Sequence, residues 1–137
     1  MEISDLTIGD WVYDDYGKPY KIKSIGLLGN TDELFVMLDY NDLYQLNYIE
    51  PIPLTVEILE KNGFELTGDS TFEKKAYNDS YEKIRMDWWE KNNFYFGFYS
   101  RKEKTVLHIS LMISYVHNLQ HALRLCGLSE IADDFKI

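Results

Sequence analysis

The chain has 137 residues, 45% of them apolar and 15% aromatic, and a formal charge of -9. Such a composition excludes an intrinsically disordered chain and suits one domain or two small fused units. Residues 1–53 carry ten acidic and three basic side chains, which opposes contact with nucleic-acid phosphates and with acidic membrane surfaces. The acidic start MEISDL lacks the basic and apolar regions of a signal peptide. The most apolar run, Val106 to Val116, is interrupted by His108, Ser110 and Ser114, and is too short to span a bilayer. Cys126 is the single cysteine and has no partner for an internal disulfide, so the expected location is the cytoplasm.

In chain order, residues 8–50 read as short strands separated by turns. Asp10–Asp14 alternates, Asp15–Lys18 turns, and Pro19–Leu27 runs extended. Gly29–Asp32 turns again, Leu34–Tyr40 is a third strand, Asn41-Asp42 a tight turn, and Leu43–Tyr48 a fourth strand. Strands at this spacing predict a small antiparallel barrel or meander. The segment IGDWV, a turn, then GKPYKIKSI resembles SH3-like barrels, in which a first strand hairpins into a long bent second one. Pro51 and Pro53 mark the join to a second unit, so the expected division is 1–53 and 54–137.

The second unit opens on a helix. Thr55 is placed to cap it, Val56 to Lys61 form it, and Gly63 stops it, with Phe64 falling opposite Leu59. A short strand is expected at Phe72–Tyr77, followed by three stronger ones. In Tyr81–Glu90, Ile84, Met86 and Trp88 share one face while Arg85, Asp87 and Trp89 share the other. Phe94–Tyr99 alternates three phenylalanines against Tyr95, Gly97 and Tyr99, and Thr105–Ile109 leads onward. From Ser110 to Leu128 the period changes: Met112, Tyr115, Val116, Leu119, Leu123 and Cys126 recur at three- and four-residue steps along one helix side. Ser110 is the expected N-cap and Gly127 the stop, with Leu128 against Leu123. Ser114, His117, Asn118, His121 and Arg124 fall on the polar side, which is expected to face water. A short helical tail follows Ser129. The predicted fold class is α+β: an SH3-like antiparallel β-barrel, then a helix–antiparallel sheet–helix unit.

Two blocks in this order, IEPIPLTVEILEKNGFE and YVHNLQHALRLCG, with aromatic strands between them, resemble a family of small bacterial proteins often encoded on prophage or other mobile elements. The resemblance spans nearly the whole chain. It implies an organisation and a genetic setting, and it carries no catalytic or binding residue with it.

Candidate chemistry is sparse. His117 and His121 stand four apart, the spacing of two metal ligands on a helix, but Asn118 occupies the position where a zincin carries its glutamate base. A metal hydrolase would need His108 to join them, and the expected state is two solvated histidines on a polar helix face. Cys126 lies on the apolar stripe, where burial makes a thiol inert. The pairs Asp14-Asp15, Asp39 with Asp42, and Asp133-Asp134 sit at turns or in the tail and lack the ladder of a calcium loop. No phosphate-cradling glycine loop or nucleophile elbow is present.

One surface stands out. Arg85, Trp89, Tyr95 and Tyr99 lie on one face of neighbouring strands, and Trp, Tyr and Arg are the residues that dominate protein interfaces. Either the N-terminal unit covers this face within the chain, or a protein partner or second copy does, or it forms a groove for a small ligand. The expected function is therefore a non-enzymatic protein-binding module without cofactor or metal and without direct nucleic-acid or membrane contact. The alternatives are an acidic DNA mimic or nucleic-acid-associated regulator, and the hydrolase on His108, His117 and His121.

Overall fold

The structure is a computed structural model that describes residues 5–27, 29, 33–39, 43–76 and 81–137. Among the described residues ten strands form two five-stranded antiparallel sheets, and the α-helices belong to the second unit, so the class is α+β. The first sheet holds β1 (Trp11–Tyr13), β2 (Pro19–Leu27), β3 (Leu34–Leu38), β4 (Leu43–Gln45) and β5 (Glu50–Pro51) in the order β4-β3-β2-β1-β5. A single 3-10 turn, Leu46–Tyr48, links β4 to β5. The predicted barrel is not closed: β4 and β5 are left as the two edges. With two- and three-residue edge strands there is little backbone to complete the ring. The predicted turns at 29–32 and 41–42 lie largely outside the described residues, as does Tyr77.

Asp14 shows why the first hairpin turns where it does. Its buried Oδ1 accepts from the backbone N–H of Tyr16 and of Lys18, both at 2.9 Å, replacing hydrogen bonds the chain loses on reversing. The sheet's own core is small: Leu6, Val12, Ile22, Val36, Leu38 and Ile49.

Ile52 and Leu54 already belong to a second, larger core. Helix α1 (Val56–Lys61) follows, with Thr55 accepting from the N–H of Ile58 at 3.2 Å as the expected N-cap. It ends in a Schellman turn: Gly63 takes φ +85° and Phe64 N–H donates to Leu59 O at 3.0 Å. The second sheet runs β10-β9-β8-β7-β6, from β6 (Glu65–Leu66), β7 (Thr71–Lys75), β8 (Tyr81–Glu90), β9 (Asn93–Ser100) and β10 (Thr105–Ile113). Alternation puts Phe72, Ile84, Met86, Phe94, Phe96 and Phe98 on its inner face, against Leu59 and Phe64 and against helix α2 (Val116–Leu125).

Helix α2 begins later than its period predicts. Met112 and Ile113 are strand residues paired with Tyr95 and Phe94, and Ser110 does not cap a helix; Tyr115 precedes the first turn without a side-chain cap. The run VLHISLMI is rich in β-branched and apolar residues, and the waiting edge of β9 draws it into extended pairing. The helix end is as expected, with Gly127 at φ +76° and Leu128 N–H on Leu123 O at 2.8 Å. Helix α3 (Ser129–Asp133) closes the chain and brings Ala132 and Phe135 into the second core.

The polar side of α2 does not simply face water, contrary to expectation: His117 is buried and Asn118, His121 and Arg124 are half-buried, because the loop before β1 supplies a complement. Asp10 is fully enclosed. Its Oδ2 accepts from Thr7 N–H at 2.8 Å and faces His121 Nε2 at 2.6 Å, and its Oδ1 accepts from Arg124 at 2.8 Å. Gln120, equally enclosed, receives Trp11 N–H at 3.0 Å and donates to Gly9 O at 3.0 Å and Ala132 O at 3.1 Å. Trp11 Nε1 reaches Phe135 O at 2.7 Å. One helix therefore packs its apolar stripe on the second sheet and its polar stripe on the first.

His117 sits in the same seam at 3% exposure, its ring stacked on Tyr115 and edge-on to His121 at 5.7 Å. Among the described residues its Nδ1 has no hydrogen-bond partner. Burial is the largest influence and holds its pKa below 6.5; Asp10 and Asp5 oppose that, and His121 adds to it. The unfolded chain then binds the extra proton more readily, so this contribution to stability is complete above about pH 6.5 and is lost as pH falls toward the folded-state pKa. Urea melts across that window should show wild type weakening on acidification and His117→Phe weakening less. Equal slopes would assign the acid sensitivity to other groups.

Candidate protein-binding face

The outer face of the second sheet is built by register. Asp87 and Met112 lie on either side of Tyr95; Arg85 is opposite Gly97; Lys83 is opposite Tyr99. A register shift between Trp88 and Glu90 accompanies the projection of Trp89 onto this face. There it meets Tyr95 edge-to-face, ring centroids 6.1 Å apart and planes at 78°. Trp89 is 61% exposed and Tyr95 38%, so neither the helices nor the first sheet covers them. Met112, 42% exposed, extends the apolar row to the sheet edge.

The four residues singled out from sequence thus share the face, in two environments. Trp89 and Tyr95 form an open aromatic pair. Arg85 is held by Asp87, its Nε 3.1 Å from both carboxylate oxygens, while Thr71 Oγ1 donates to the same carboxylate at 2.7 Å. That engagement fixes the guanidinium and spends part of its donor capacity inside the chain. Tyr99 is half-buried and stands apart from the pair, with side-chain-free Gly97 between it and Tyr95 along β9. Lys83 and Glu73 add a long ion pair at 3.8 Å. Trp88, expected inside with Ile84 and Met86, is 42% exposed and donates from Nε1 to Lys91 O at 2.8 Å. It lies at the hairpin end of β8, beyond the packed phenylalanines.

His117 and His121 do come together, but with Asp10 and Arg124 rather than in water. The side chain of His108 lies outside the described residues. Among the described residues no three His, Cys, Asp or Glu side chains are grouped to hold a metal ion. Cys126 is half-buried, and burial pushes its thiol pKa up. No helix among the described residues is long and apolar enough to cross a membrane.

Asp10 and Gln120 were not anticipated. A signal was present: His117, Gln120, His121 and Arg124 recur at helical spacing, a second stripe of long polar groups suited to a buried complement. Comparison with known proteins adds nothing to this picture: no family model, curated protein or solved structure matches the chain.

Proposed function

We infer that the protein is a non-enzymatic binding module of the cytoplasm that engages a protein partner through Trp89, Tyr95, Tyr99 and Arg85. The observation carrying this reading is the Trp89–Tyr95 pair, held edge-to-face yet open to solvent on a rigid sheet. Aromatic anchors on regular structure lose little conformational freedom on binding, and their burial dominates affinity. The first unit serves as a support. Its meander, with a fifth strand returned to the first and a register shift in β2 between Ile22 and Ser24, favours an SH3-like origin despite the open edges.

The test is the double variant Trp89→Ala with Tyr95→Ala. Loss of one edge-to-face contact at the surface should cost about 1 kcal/mol of stability. Binding to any partner that uses this face should weaken by more than about tenfold. Proteins retained on immobilised wild type and absent from the variant, at nearly equal melting temperatures, support the reading. Identical retained sets, or clear retardation of duplex or single-stranded nucleic acid in gel shifts, would turn it toward the nucleic-acid-associated alternative.

A further inference from the structure

Three of the four sheet edges are blunted by brevity. Strands β4, β5 and β6 have three, two and two residues, too short to template another chain. The fourth edge is β10, nine residues from Thr105 to Ile113 without a charged residue or a proline. Among the described residues no strand pairs with its outer side. A register shift between His108 and Met112 interrupts its pairing with β9, and apolar Leu111 and Met112 are exposed at 40% and 42%. Beyond Ile113 the chain is occupied, since Leu54 N–H donates to Ser114 O and Val116 N–H to Ile52 O, both at 2.9 Å.

Charge indicates the occupant. In a chain of net -9, residues 81–113 hold six basic and four acidic side chains, so a copy meets least repulsion here. The two ends of β10 are also complementary. Its start follows Arg101, Lys102, Glu103 and Lys104, whereas its end runs into Tyr115, which lines a shallow pocket with Asp5, Pro51, Asn118 and His117, next to Glu50. Antiparallel pairing brings each basic turn to the acidic end of the other copy.

We propose that two copies of this chain pair antiparallel along β10 about a twofold axis, joining their second sheets into one. The axis stands perpendicular to the merged sheet, so both copies present Trp89 and Tyr95 on the same side. The contact is independent of the partner-face reading, and it makes that face bivalent if the reading holds.

Sedimentation equilibrium of the full chain should return twice the 16.2 kDa chain mass. Leu111→Lys with Met112→Lys should halve it, and at dilutions where wild type is itself monomeric the two should melt alike, because both side chains are exposed in the single chain. Amide hydrogen exchange on wild type reads the same edge without a variant: protection of Thr105–Ile113 should fall on dilution. The Trp89→Ala and Tyr95→Ala variant should keep the doubled mass. A single-chain mass at the highest soluble concentration, a dimer that survives both lysines, exchange in β10 that ignores dilution, or loss of the dimer in the aromatic variant each overturns the proposal.

Discussion

Replacing Asp10 by alanine should cost about 3 kcal/mol, near the lower end of the range for removing one partner of a buried ion pair. The carboxylate is fully enclosed and answers three donors at once, Thr7 N–H, His121 Nε2 and Arg124 Nη1. Without it the backbone N–H of Thr7 loses its acceptor, and the half-buried Arg124 guanidinium keeps only its 3.4 Å contact to Asp133. Arg124 and His121 keep some access to water, which holds the loss below the maximum. Asp133 is a control on the same arginine: its 3.4 Å contact is at the surface, so Asp133→Asn should change stability by less than about 0.5 kcal/mol. Urea melts give both numbers. A cycle with Arg124→Met should show the double variant less damaged than the sum of the singles, by about 1–3 kcal/mol, because one interaction is removed twice. Additive losses would mean that Asp10 acts through the Thr7 turn rather than through the helix.

That seam also marks where sequence reasoning stopped. Local chemistry was legible: both Schellman endings, the Thr55 cap and the Asp14 turn each depend on residues within a few positions of one another. The phenylalanine alternation in β9 identified the inner face for the same reason. Non-local partners were not legible. Nothing near His121 announces that Asp10, more than a hundred positions away, will meet it, so the polar stripe of α2 read as a solvent face. Ser110–Ile113 fits a helical period and a strand equally well, and only the edge of β9 decides between them. Closure of the first sheet depends on edge lengths set by turns, and strand patterning does not encode them. The candidate face was accessible from alternation alone, but whether the first unit covered it required the packing of α2 between the two sheets.

Leu123→Ala should be among the most damaging substitutions in the chain, at about 2–5 kcal/mol including the cavity it leaves. Leu123 is fully buried in the larger core beside Leu119, and its carbonyl receives Leu128 N–H in the turn that ends α2. The core it empties backs the whole second sheet, so the loss should appear as global unfolding at lower urea with an unchanged slope. Against a total stability of about 5–15 kcal/mol, such a loss leaves a marginal protein. Leu119→Ala should behave alike, since that side chain is equally enclosed. Leu125 offers the same chemical change on the same helix at 87% exposure. Leu125→Ala should stay within about 0.5 kcal/mol of wild type, alanine being at least as good a helix former. The contrast isolates burial from helix propensity. Comparable losses at positions 123 and 125 would mean that α2 is rotated from the phase described, and the seam built on Gln120, His121 and Arg124 would rotate with it.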